Sequence, residues 1–197
     1  MTTHKKRRAA APPAGKEEVV SAVVTAARKL FAERGYAGVS VRDLAEAARV
    51  NHGLVHRHFG SKDGVLHAVL QSMFKDVSVV AQANLKPGDP DFAERLYPLA
   101  AARKQDWQIL MRAVLDGFDF QSAGFEFPLT TSVLEHVAAR RGSRNEASRT
   151  IAGAIIAGGL GWLLLETYLT PILKLDGADA DKLRERMGRL FQGLVDA

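Results

Sequence analysis

The 197-residue chain has no cysteine, which excludes disulfides and thiolate-bound metals and is compatible with the cytosol. Aromatic residues make up only 7% of it, with two Trp and three Tyr. No strand pattern rises above the helical one. The longest apolar run, residues 151–165, falls short of the ~20 residues a membrane span needs, and Glu166 follows it directly. A buried helix is expected there, with no membrane partner. Residues 1–15 hold no apolar stretch long enough for a secretory signal. They are too basic and too rich in Ala, Pro and Gly to pack, so they read as a disordered basic arm of a cytoplasmic protein.

Acidic residues are scarce in the first third. Residues 1–62 hold 5 Asp/Glu against 12 Lys/Arg, a net of +7, whereas residues 63–197 hold 17 against 15, a net of −2. A polyanion contacted by one end only explains such asymmetry. The Lys5-Lys6-Arg7-Arg8 run either solubilises the arm or adds sequence-independent affinity for phosphates, and both readings stay open.

What is present is helix. Val20, Val23, Val24, Ala27, Leu30 and Phe31 recur at helical spacing over residues 16–34, and Gly35 ends that segment. Ser40 opens a second helix with Asp43 three residues on, a variant of the capping box. Val41, Leu44, Ala45 and Ala48 form its inner face. Arg49-Val50-Asn51 is the turn, with Val50 as apolar plug and Asn51 as N-cap of a third, short helix over residues 52–59. A fourth helix starts at Ser61 and runs to about Ala83. Further helices are expected over residues 92–103, 106–118, 128–141, 145–169 and 180–195, with a break at Thr170-Pro171.

Residues 42–58 thus have the layout of a helix-turn-helix. The third helix carries His52, His56, Arg57 and His58, donors for phosphates and base edges, where a core helix would carry leucines. Gly53 lets its backbone come close to DNA, and Leu54 suits a thymine methyl. Arg42 and Lys62 have the charge and reach for phosphates, and Asn51 joins the set as the cap. Protonating the three histidines adds positive charge, so tighter DNA binding is expected as pH falls toward about 6, and a flat response between about pH 6 and 8 would remove this idea.

The stretches ARKLFAERGYAGVSVRDLAEAA and VNHGLVHRHFGSKDGVL resemble the TetR family of bacterial transcription regulators. Phe31, Gly35, Tyr36, Val50, Gly53, His58, Phe59 and Lys62 stand at the family's spacing, over roughly a quarter of the chain. The resemblance implies an all-α protein: an N-terminal three-helix DNA-binding head (residues 16–62) and a larger ligand-binding and dimerisation domain (residues 63–197). It further implies a homodimeric repressor on double-stranded DNA, responsive to a small effector. Carried over by position, His52, Gly53, Leu54, His56, Arg57, His58 and Lys62 fall where the family contacts DNA. Two residues depart from the pattern. His56 stands where the family usually has Tyr, and Arg49 where it usually has Gly, which either relaxes the turn or strains Arg49 into a left-handed conformation.

In the C-terminal part, Trp107, Met111, Phe118, Trp162 and Glu166 are candidates to line a pocket for a small apolar effector. Gly153, Ala157 and Gly161 form a small-residue ridge that lets two helices approach closely, either within one subunit or across a dimer axis. The resemblance favours the dimer, with Leu183, Met187, Leu190 and Phe191 of the last helix as partners. Two rivals belong to other classes. An architectural protein would use the basic arm for non-specific DNA. A zinc enzyme would use His52 and His56, which share a face as in HExxH sites, but Gly53 stands where that motif has its Glu. No metal, cofactor or catalytic residue is assigned, and the chain is not read as an enzyme.

Overall fold

A computed structural model of the chain describes residues 13, 15–120, 124–175 and 177–197. Apart from positions 13 and 15, the expected basic arm lies outside the described residues. Among those described, every regular element is helical: α1 (Lys16–Arg34), α2 (Val41–Ala48), α3 (His52–Phe59), α4 (Lys62–Asn84), α5 (Phe92–Ala101), α6 (Lys104–Leu115), α7 (Pro128–Arg141), α8 (Glu146–Ile172) and α9 (Ala180–Asp196). The chain divides into two compact units, residues 1–69 and 70–197. The division falls inside α4.

The first unit packs α1, α2 and α3 around Val23, Ala27, Phe31, Leu44 and Val55. Local chemistry starts and stops each helix. The capping box of α2 is complete: the Ser40 hydroxyl accepts from the Asp43 N–H at 3.2 Å, and the Asp43 carboxylate accepts from the Ser40 N–H at 2.7 Å. Such a cap contributes about 1 kcal/mol. At its other end the Val50 N–H donates to Ala45 and the Arg49 N–H to Glu46, the paired closure that requires a left-handed residue between them. Arg49 is that residue, at φ 58° and ψ 39°, so the turn is strained and not relaxed.

The second unit is a helical body in which α8 packs against α6, α7 and α9. Its tightest approach is α5 on α9. A Cβ on Gly188 would lie 2.7 Å from the Glu94 Cα and 2.8 Å from its carbonyl oxygen. Pro98, inside α5, offers no N–H to that same carbonyl. Arg140 of α7 donates to Asp196 of α9 at 2.8 Å, and Gln192 of α9 accepts from the Ala93 N–H of α5 at 3.0 Å. These bonds hold the three helices in one register.

Two expectations about α8 need correction. It does not stop at Thr170 but runs to Ile172 with Pro171 in its last turn, where few downstream residues remain to be disturbed. Lys174, at φ 55°, then reverses the chain, with the Leu175 N–H donating to Thr170 at 2.7 Å. Nor is α8 a buried helix. At 27 residues it is long and apolar enough to cross a membrane, yet only 22% of its most apolar window is buried. Ala152, Ile155, Gly159 and Leu163 face the core while Leu165 and Tyr168 are exposed.

Candidate functional site

α3 is short because its ends are fixed chemically. The Asn51 side chain accepts from the Gly53 N–H at 2.8 Å and starts it. At the other end the Ser61 N–H reaches back to the Phe59 carbonyl at 2.8 Å, a γ-turn centred on Gly60 at φ 74° and ψ −56°. That conformation suits glycine alone, and it aims α4 immediately away from α3. Val55 anchors α3 to the head, with 1% of its surface exposed.

The opposite face carries His52, Gly53, His56 and Arg57, all exposed, with Asn51 and Arg49 beside them in the turn and Arg42 exposed on the first turn of α2. Leu54 and His58 are half-buried, so they flank this face and do not crown it. The His52 and His56 rings meet edge-on at 4.6 Å. His56 donates from Nδ1 to the Gly60 carbonyl at 3.0 Å, so in that tautomer Nε2 is the acceptor nitrogen. No group of three His, Asp or Glu suited to a metal forms among the described residues. A Cβ on Gly53 would meet only the Asn51 side-chain oxygen, at 3.2 Å, so the fold itself makes a small demand for glycine there.

Lys62 is not a free cation. Its Nζ donates to the Tyr36 carbonyl at 3.0 Å and sits 4.1 Å from the centre of the Tyr36 ring. The Tyr36 hydroxyl in turn donates to the Asp63 carboxylate. Tyr36, just past the Gly35 that ends α1, therefore fixes both first-turn charges of α4. Sequence reasoning noted Tyr36 only as part of a spacing. A lone aromatic just after a helix-ending glycine, opposite a Lys-Asp pair, was the signal available.

The second unit holds a partly open cavity of about 280 Å³ bounded by α4 to α9. Of the five candidates, Trp107 and Met111 border it. The other three candidates do not. Phe118 packs against Phe120 and Phe125 at 5.0 and 6.1 Å. Trp162 is partly buried against the core away from the cavity. Glu166, set beside a very apolar run, neither faces solvent nor enters the cavity but pairs with Lys104 at 3.2 Å, with 14% of its side chain exposed. Tyr97, Val133, Gly159 and Leu163 are lining residues the sequence did not single out. The Gly158-Gly159 pair inside a helix was the one available hint.

The residues read as a dimer surface split in two. Leu183 and Phe191 are buried in the protomer's own core, Phe191 against Tyr97 at 5.3 Å, and Met187 packs on the same cluster. They are spent within the subunit. Leu190 is 57% exposed, and a Cβ on Gly153 or Gly161 would meet nothing within 4 Å. Ala157 lies exposed between them.

Comparison with known proteins bears on both units. The family described as "Bacterial regulatory proteins, tetR family" matches residues 23–69, the head and the start of α4. The HTH-type transcriptional repressor Rv3405c of Mycobacterium tuberculosis is 35% identical over 162 residues, which cover 82% of this chain and 81% of that protein. The HTH-type transcriptional regulator BetI of Burkholderia thailandensis is 28% identical over 119 residues, 60% of each chain. Among solved structures, the TetR-family regulator PfmR of Thermus thermophilus shares the fold with a TM-score of 0.62 at 20% identity, over 86% of this chain and 93% of its own. With the mycobacterial match running through head and body alike, this chain belongs to the TetR family of bacterial regulatory proteins and is a DNA-binding transcriptional regulator.

Proposed function

We propose that the protein is a ligand-responsive homodimeric repressor of a pseudo-palindromic operator. The observation that carries this reading is the outward face of α3, where every well-exposed side chain is a histidine or an arginine and the one glycine is hardly required by the fold. His52, His56 and Arg57 read base edges or phosphates through the major groove, and Gly53 admits the backbone of α3. Asn51, Leu54 and His58 border the contact, and Arg42 grips a phosphate from α2. Lys62 has three donors and spends one on Tyr36, so two remain for a phosphate from a position already fixed. The name of the mycobacterial relative supports repression as the outcome.

The ridge of exposed Gly153 and Ala157 and half-buried Gly161, with exposed Leu165 and Tyr168 further along α8 and exposed Leu190 and Leu194 on α9, supports pairing of two protomers through α8 and α9. A second copy covers this face better than a membrane does, because the opposite side of the same helix is committed to a protein core. Two heads then stand about one helical turn apart, ~34 Å, on the operator. A small apolar effector in the cavity changes the spacing of the heads. Coupling of about 1–3 kcal/mol suffices for a useful switch.

Selection of bound sequences from a random DNA pool tests the reading. Enrichment of palindromes is the expected result. Binding without enrichment that disappears on deleting residues 1–15 would instead make the protein architectural.

A further inference from the structure

Lys62 and Asp63 stand next to each other in the first turn of α4 with opposite charges, and one tyrosine holds both. The Tyr36 carbonyl accepts from the Lys62 Nζ at 3.0 Å, and the Tyr36 ring lies 4.1 Å from the same ammonium. Its hydroxyl donates to the Asp63 carboxylate. Each charge thus has its own partner atom on Tyr36.

The frame around them is fixed. A Cβ on Gly64 would overlap the Phe59 carbonyl oxygen, so the first turn of α4 presses directly on the end of α3. The Tyr36 ring packs 5.7 Å from the ring of Phe31, which is 1% exposed. The ring therefore serves the core of the head. The bond from its hydroxyl, by contrast, ends on an exposed carboxylate, where such a bond contributes little to folding.

Charge supplies a different reason for that bond. Asp63 suits α4, because an acidic residue in the first turn complements the positive end of the helix. It does not suit a DNA contact at Lys62. A free carboxylate beside that lysine either pairs with it or repels the phosphate it is meant to meet. A hydroxyl that donates to the carboxylate opposes both, since it fixes the anion in place and takes up part of its charge.

We propose that Tyr36 is a positioning residue of the DNA contact. Its carbonyl and ring hold the Lys62 ammonium for a phosphate, and its hydroxyl keeps the Asp63 carboxylate from pairing with Lys62 or repelling that phosphate. This rests on Lys62 meeting a phosphate, as proposed above.

Fluorescence anisotropy of the full chain on the duplex enriched from the random pool, over a salt series, tests it. The variants are Tyr36→Phe, Asp63→Asn, both changes together, and Lys62→Met. Tyr36→Phe keeps the ring and the carbonyl, so its melting temperature stays within a few degrees of the wild type. Its DNA affinity falls about three- to tenfold. Adding Asp63→Asn to Tyr36→Phe restores affinity, and the gain is at least about threefold larger than the gain from Asp63→Asn alone. A tyrosine that served only the fold would show no such coupling. Additive effects of the two changes, or unchanged affinity in Tyr36→Phe, overturn the proposal. So does a large loss of melting temperature in Tyr36→Phe, which would make the hydroxyl a part of the fold. Lys62→Met reports on the contact itself and should remove about one counterion per head from the salt dependence. If it changes neither affinity nor that slope, the phosphate contact falls, and this inference with it.

Discussion

Arg49 occupies a backbone conformation that costs an L-residue about 1–2 kcal/mol, and the turn of the helix-turn-helix is built on it. Glycine takes the same conformation without strain but loses more freedom on folding. Arg49→Gly is therefore expected to stabilise the head by about 0.5–1 kcal/mol, read by chemical denaturation. The same change removes a cation beside α3, and the salt dependence of DNA binding should lose close to one counterion if Arg49 meets a phosphate. A second residue acts through protonation. His136 is 1% exposed, stacks on Phe92 at 4.3 Å and accepts the Gly88 N–H on Nδ1 at 3.0 Å. Burial, with Arg140 nearby, holds its pKa below the ordinary 6.5, against the opposing pull of Asp196 and Asp89. The folded state then binds this proton less tightly than the unfolded chain. Stability rises with pH from the folded pKa up to about 6.5 and is lost as pH falls through that window. Melting temperatures at about pH 7.5 and 5.5 should differ more in the wild type than in His136→Gln, which does not titrate.

At the scale of the element, glycines separate structural demand from functional demand. Gly188 faces the Glu94 backbone, which cannot move aside as a flexible side chain would. Gly188→Ala must pry α9 from α5 and should cost roughly 1–3 kcal/mol, visible as a lower melting temperature. Gly53→Ala meets only a side-chain oxygen at 3.2 Å, so its melting temperature should stay within a few degrees while DNA affinity drops at least about tenfold. A large loss of stability in Gly53→Ala would assign that glycine to the fold instead. The same contrast shows which elements were legible in the sequence. The bounds of α1, α3 and α7 follow from caps and breakers that lie within a turn of the helix end, so the pattern of residues 16–34, 52–59 and 128–141 places them correctly. The division between α5 and α6 moved by two residues at each side, because no proline or glycine marks it.

For the whole molecule, the unclaimed surface of α8 is the feature with the largest consequence. Within the protomer a Cβ at Gly161 meets nothing within 4 Å, so Gly161→Leu should fold. If two copies pair along this ridge, the variant sediments as a monomer and loses operator affinity, since each head then binds a single half-site. A dimer that survives the change would move the interface elsewhere.

By itself, the sequence determined the reading head. Its caps, its plug at Val50 and its basic face lie within about fifty contiguous residues, and each signal acts over one or two turns of helix. It also determined that the body is helical. Only the tertiary structure decided how the body uses its residues. It turned Glu166 onto Lys104, 62 positions away, His136 onto Gly88, 48 away, and Gln192 onto Ala93, 99 away. It buried Leu183 and Phe191 within one subunit, left Leu190 outside, and buried the Tyr97 hydroxyl without a partner. A helical period reveals which side of a helix is apolar, but not which neighbour that side will meet, because the partner's address is set by packing across the whole fold.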